Sequence, residues 1–137
     1  MRKLLVLAAG LMTAGMWASA HADTATYKAT LNGASEVPPV TSSATGTATV
    51  NVDTASKKVS WNVTYTGLTP AAAHIHCGAA AGANAGVAVP LTAGPSPLTG
   101  SGTMTDAQLA DLAAGKCYVN IHTAANKGGE IRGQLAK

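Results

Sequence analysis

Apolar and polar residues alternate with a period of two along most of the chain beyond residue 23. Successive side chains of a β-strand point to opposite faces, so this period is typical of strands with one buried face. The runs are bounded by Gly, Pro, Asn and Asp, as strands usually are, and residues 53–56 (DTAS) predict a hairpin turn. The apolar positions of the five clearest runs are Tyr27, Ala29 and Leu31; Ala48, Val50 and Val52; Val59, Trp61, Val63 and Tyr65; Val87, Val89 and Leu91; and Ile131 and Leu135.

One segment has the signals of a helix instead. Thr105 can cap the N-terminus with Gln108 three residues later, which is the spacing of a capping box. Leu109 and Leu112 form an apolar stripe, and Gly115 is suited to the left-handed conformation that ends a helix. We therefore expect a short helix over about residues 105–114, and a loop over the Gly- and Ala-rich residues 78–86.

These runs and two histidine-bearing segments give seven or eight strands in about 110 residues. The sequence shows no internal repeat and no linker. We predict an all-β fold, an antiparallel β-sandwich with one short helix, forming a single domain over residues 23–137.

The first 22 residues have the features of a secretory signal peptide. Arg2 and Lys3 form a basic start, an apolar stretch follows, and residues 20–22 (AHA) fit the small-x-small cleavage pattern. Cleavage after Ala20 is an alternative that would leave His21 as the N-terminal residue. The apolar stretch is too short for a confident membrane span, so we expect a periplasmic or secreted protein that is not inserted in the membrane after cleavage.

Removal of the signal peptide changes the charge of the chain. The nine basic residues fall to seven without Arg2 and Lys3, which leaves a net charge of +1 against six acidic residues. The basic residues do not cluster, so the sequence gives no support for nucleic-acid binding.

Both cysteines, Cys77 and Cys117, lie beyond the signal peptide. Export to an oxidising compartment and an even cysteine count favour one disulfide between them. Both residues also share the apolar parity of their strands. The alternative, a cysteine that stays reduced as a copper ligand, would need the side chain to leave the core face.

Three histidines fall in two strand-like segments. His74 and His76 are two residues apart and point to one face, and His122 lies on the polar face of the run 117–123 (CYVNIHT). Imidazole is the commonest neutral ligand of copper and zinc. If the two strands are close, these side chains can form a metal site; in the alternative interpretation they are polar residues that only help to organise the sheet.

Three polar residues are candidates to support such a site. Glu130 could orient a ligand histidine by a hydrogen bond, and Arg132 could attract a small anion, although a simple ion pair between the two is the alternative. Asn120 shares the polar face with His122 and could hydrogen-bond across it.

Four segments, taken together, resemble a CHRD domain, the domain named after chordin. The segments are residues 32–39 (NGASEVPP), 67–76 (GLTPAAAHIH), 118–123 (YVNIHT) and 129–135 (GEIRGQL). The resemblance implies an extracytoplasmic β-sandwich and little about activity. The chain lacks the cysteine-rich modules of chordin, so growth-factor binding is not implied.

Residues 67–70 (GLTP) followed by His74 and His76 are also similar to the copper-ligand strand of copper–zinc superoxide dismutases. His122 would correspond to a ligand on a late strand of that family. The chain has too few histidines to build a copper–zinc pair, and a shared fold does not imply a shared activity.

The sequence contains no nucleophile–base–acid set and no phosphate-binding loop, which disfavours conventional hydrolase or transferase chemistry. We therefore expect an exported protein that binds one copper ion through His74, His76 and His122, with zinc as second choice, and we favour a role other than catalysis. The alternative is an extracytoplasmic interaction or matrix module that binds another exported protein, and a further alternative is a copper-only dismutase-like activity.

Overall fold

The computed structural model describes Gly15 and residues 23–137. The predicted signal peptide over residues 1–22 therefore lies, apart from Gly15, outside the described residues. No helix of the described part is long and apolar enough to cross a membrane.

The described chain folds into eight strands and one α-helix, with a 3-10 turn at Gly33–Ser35. The elements are β1 (Thr24–Asn32), β2 (Thr45–Asp53), β3 (Lys58–Thr66), β4 (Ala72–Cys77), β5 (Val87–Leu91), β6 (Leu98–Thr103), α1 (Asp106–Ala113), β7 (Cys117–His122) and β8 (Ile131–Gln134). The prediction of an all-β fold with one short helix is confirmed.

All eight strands belong to one antiparallel sheet in the order β5-β4-β7-β8-β1-β2-β3-β6. Its two edge strands, β5 and β6, also lie against each other, so the sheet is nearly closed. The apolar faces of the strands turn inward and form one core that includes Leu31, Val50, Val63, Ile75 and Ile121.

Local signals placed the turn and the helix correctly. The side chain of Asp53 accepts hydrogen bonds from the backbone N–H groups of Ala55 and Ser56, which closes the hairpin between β2 and β3. Thr105 and Gln108 form both bonds of the capping box at the start of α1, and Gly115 beyond its end has a φ of 74°.

The predicted disulfide is present. Cys77 and Cys117 are direct cross-strand partners at the ends of β4 and β7, and their sulfur atoms are bonded. Cys117 is fully buried in the apolar core. The bond therefore ties together the two strands that carry the histidines.

Candidate metal centre

The three histidines lie on the outer face of the sheet, opposite the apolar core. Strands β4 and β7 are neighbours, and their register pairs His74 with Asn120 and Ala72 with His122. His122 is thus the diagonal neighbour of His74 on the same face, a relation that lets long or aromatic side chains touch. His76 is paired with Tyr118.

This register brings the three imidazoles together. One ring nitrogen from each of His74, His76 and His122 lies within 4.8 Å of the other two. The shortest approach joins Nδ1 of His74 to Nε2 of His122 at 3.0 Å. Ring nitrogens bound to one ion at about 2.0–2.1 Å are about 3–3.5 Å apart, so small side-chain rotations would complete the set.

His122 is held in an orientation suited to a metal ligand. Its Nδ1 lies 2.8 Å from the backbone carbonyl of Lys127, to which it donates a hydrogen bond. A bond of this kind fixes the tautomer and leaves a lone pair on Nε2, which accepts a hydrogen bond from Nδ1 of His74 in the metal-free protein and could bind an ion instead. That Nε2 is the atom that faces His74.

His76 is more enclosed than the other two, with 8% of its surface exposed. Its Nδ1 lies 2.8 Å from the carbonyl of Ala85 and its Nε2 lies 3.0 Å from Oδ1 of Asn120. Ala85 belongs to the loop predicted over residues 78–86. The loop covers the outer face and removes His76 from water.

Tyr118 supports His76 from the neighbouring strand. The two rings are stacked, with centroids 4.7 Å apart and planes inclined by 6°. The Arg132 guanidinium lies 3.5 Å from the centroid of the Tyr118 ring. Because β7 lies between β4 and β8, the tyrosine ring separates the histidine from the arginine.

Arg132 itself is buried, with 1% of its surface exposed. It donates hydrogen bonds to Oδ1 of Asn84 and to the carbonyl of Ala83, both in the covering loop. It therefore anchors the loop, with the Tyr118 ring between its guanidinium and His76. This burial gives no support to the expectation that it attracts an anion from solvent.

Glu130 lies away from the imidazole rings. Its carboxylate accepts hydrogen bonds from Ser42, Thr123 and Asn126. Burial alone would raise its pKa, but these hydrogen bonds outweigh burial and lower the pKa. The carboxylate forms neither the ion pair with Arg132 nor the bond to a histidine that the sequence had suggested.

Asn120 does contact a histidine, through the bond to His76. Glu36, which the sequence analysis did not single out, is 4% exposed, and its Oε1 finds no hydrogen-bond partner among the described residues. Burial raises the pKa of Glu36 to about 7, against the opposing effects of Arg132 and Asn120. Glu36 falls within the segment 32–39 that carried the family resemblance, which was the available signal.

Burial also favours the neutral form of two histidines. The pKa of His74 is lowered chiefly by burial and further by the proximity of His122 and His76. Burial likewise lowers the pKa of His76, although the hydrogen bonds to Ala85 and Asn120 act in the opposite direction. Neutral imidazoles are the forms that bind metal ions, so this cluster could hold one near neutral pH.

A family model for the CHRD domain matches residues 27–135. The chain belongs to the CHRD domain family. The match covers the whole sheet, including both strands that carry the histidines. Comparison of this CHRD domain with curated proteins and with solved structures finds no significant match. Family membership and the disulfide both suggest an extracellular module.

Proposed function

We propose that this CHRD domain is exported and binds one copper ion through His74, His76 and His122, in copper handling or tolerance. The observation that carries the proposal is the convergence of three imidazoles within 4.8 Å on one sheet face. The set has neither a carboxylate nor a thiolate among its ligands.

The ligand chemistry favours copper over the common alternatives. Three neutral imidazoles suit Cu(I), or Cu(II) completed by water, and a first-row metal site of a given type generally binds Cu(II) more tightly than Zn(II). Zinc is the second candidate, since three histidines with an open position also suit it. Calcium and magnesium prefer several oxygen ligands.

The direct test measures metal binding by the purified protein. We expect the protein isolated from a periplasmic fraction to contain copper in a one-to-one ratio, and the metal-free protein to bind Cu(I) or Cu(II) more tightly than Zn(II). His122→Ala should weaken copper binding at least tenfold. Lys127→Ala is the matched control, because the carbonyl that orients His122 belongs to the backbone and survives the substitution.

Two results would overturn the proposal. One is the absence of stoichiometric metal after titration of folded, metal-free protein. The other is equal copper affinity of His122→Ala and Lys127→Ala.

A second candidate function is an interaction or matrix module whose histidines organise the fold. The observation that favours it is that protein groups already engage both ring nitrogens of His76, the Ala85 carbonyl at Nδ1 and the Asn120 amide at Nε2. In that case His76→Ala would lower stability in the complete absence of metal, and the titration would show no copper binding by the wild-type protein.

A further inference from the structure

A cavity of about 340 Å³ lies on the outer face of the sheet at β8. Its lining comes from three places: residues 34–37, the covering loop at Ala81 and Gly82, and the side chains of Arg132 and Gln134 on β8. None of the three histidines lines it. Its volume is at the lower end of the range of small-molecule sites, roughly 300–1,000 Å³.

The three parts of the lining are tied together through Asn84 of the covering loop. Its Oδ1 accepts a hydrogen bond from Nη1 of Arg132 at 3.1 Å, and its Nδ2 donates to the carbonyl of Val37 at 3.0 Å. Arg132 also donates to the carbonyl of Ala83. The cavity is therefore held in shape by the protein itself, and a preformed site loses less entropy when a ligand binds.

Gln134 contributes a hydrogen-bond acceptor whose orientation is fixed. Its Nε2 donates to the carbonyls of Ala79 and Gly115, each at 2.9 Å. An amide nitrogen has two hydrogens, so both are used and the amide cannot turn round without losing them. The Oε1 at its other end is buried and has no partner among the described residues.

Glu36 contributes a second acceptor. Its side chain is 4% exposed, and its Oε1 also lacks a hydrogen-bond partner among the described residues. The one ion pair in the described part of the chain joins Lys57 and Asp106, so Arg132 is not within ion-pair distance of Glu36. A carboxylate buried without partners is costly to ionise, and burial accordingly raises the pKa of Glu36 to about 7.

These two oxygens determine the chemistry of a suitable ligand. Both can only accept hydrogen bonds when Glu36 is ionised, so the ligand must donate at least two. A primary ammonium group has three N–H donors and carries the counter-charge that Glu36 lacks. Arg132 cannot supply that charge instead, because its terminal nitrogens are bonded to the covering loop and its guanidinium lies on the Tyr118 ring.

We infer that this cavity binds a small organic amine, whose ammonium group is hydrogen-bonded by Glu36 and Gln134 and whose alkyl part contacts Ala34, Val37 and Ala81. The inference is independent of the proposed function, since the site contains no histidine and needs no metal ion.

The experiment titrates the metal-free protein with butylammonium at about pH 8 and follows backbone and side-chain amide signals by NMR. We expect saturable shifts with a Kd of about 1–10 mM, which so small a ligand can reach. The shifts should include the side-chain amide of Gln134 and the backbone amide of Gly82, but not Gly94 or Gly102, which lie outside the cavity lining. Neutral n-butanol, which has an alkyl chain of the same length, should bind at least tenfold more weakly.

Glu36→Gln keeps the shape of the side chain but removes its charge, and it should weaken butylammonium binding at least tenfold. Glu130→Gln is the matched control, because the Glu130 carboxylate is bonded to Ser42, Thr123 and Asn126 and does not line the cavity. If Glu36→Gln does not fold, Ala81→Trp serves in its place: it lies at an exposed loop position of the lining and should weaken binding by narrowing the cavity.

Three results would overturn the inference. The first is the absence of saturable shifts at Gln134 and Gly82 in the wild-type protein, which would mean that the cavity holds water only. The second is equal affinity for butylammonium and n-butanol. The third is equal butylammonium affinity of the wild type, the Glu130 variant and whichever cavity variant folds.

Discussion

Five polar or charged residues of the described chain are buried, and all of them lie on or beside the outer face of β4, β7 and β8. Burial of such groups is costly unless each finds a hydrogen-bond partner. Here loop backbone supplies acceptors to Arg132 at Ala83 and to His76 at Ala85, and Asn120 and Thr123 also have partners, whereas Oε1 of Glu36 has none among the described residues. The buried residues are Glu36, His76, Asn120, Thr123 and Arg132.

The close approach of β8 to β1 depends on one glycine. A Cβ atom on Gly133 would collide with the backbone carbonyl of Thr30, and a backbone cannot turn aside as a side chain can. We expect Gly133→Ala to lower the free energy of unfolding by about 1–3 kcal/mol, the usual cost of overpacking. Chemical denaturation measures this. Gly128→Ala, which would meet nothing within 4 Å, should stay within about 0.5 kcal/mol of the wild type.

At the residue scale, the orientation of the histidines could be predicted from the sequence, but the contacts of the residues around them could not. Strand parity alone places His74, His76 and His122 on the polar faces of their strands, and the pairing of β4 with β7 makes these one face. Parity cannot tell that a loop covers this face, since the loop's position depends on long-range bonds such as that from Arg132 to Asn84. For this reason Glu36 was missed, and Glu130 was given contacts that it does not make.

At the scale of elements, β4 and β7 are the framework of the site, and the disulfide joins their ends. A bridge between residues separated by 40 positions should stabilise the fold by about 3–4 kcal/mol in the chain-entropy model. We expect the double variant Cys77→Ala, Cys117→Ala to lose stability of that order in denaturant. It should still bind metal when folded, because the backbone pairing of β4 with β7 is independent of the sulfur atoms. A loss below about 1 kcal/mol would contradict the first expectation.

The strength of local signals explains which elements were predicted. The helix was found because its capping box lies within four residues of sequence. Strand β6 was missed because its residues (LTGSGT) resemble a loop. In the structure it pairs with β3, and a Cβ atom at Gly100 would overlap the Trp61 ring. Gly100, one of the residues that make β6 resemble a loop, is therefore required because the Trp61 ring occupies the space of a side chain there.

At the scale of the whole molecule, the nearly closed sheet separates two environments. Apolar side chains fill its interior, while a layer of polar groups is buried between its outer face and the covering loops. Period-two alternation could predict which side chains fill the interior, because one face of each strand points into the core. It could not predict that β7 is buried on both faces, since the outer layer is built by loops.

The polar layer should make the stability of the metal-free protein depend on pH in a particular way. Burial raises the pKa of Glu36 from 4.5 to about 7, so between these values the folded state holds a proton that the unfolded chain releases. The resulting stabilisation is complete below about pH 4.5 and is lost as the pH rises through about 7. His74 and His76, whose pKa values are lowered by burial, act oppositely: their contribution is lost as the pH falls below 6.5.

Comparison of the wild type with Glu36→Gln separates the contribution of the Glu36 carboxylate to this pH dependence from that of the histidines. The difference in free energy of unfolding between wild type and Glu36→Gln should fall by about 1–3 kcal/mol as the pH rises from about 5 to 8. The same difference for Glu130→Gln should stay constant over this range, because the pKa of Glu130 is lowered from 4.5 and its carboxylate is ionised throughout. Denaturant unfolding at several pH values measures both. A wild-type-to-Glu36→Gln difference that does not change with pH would show that Glu36 is ionised in the folded protein across the whole range.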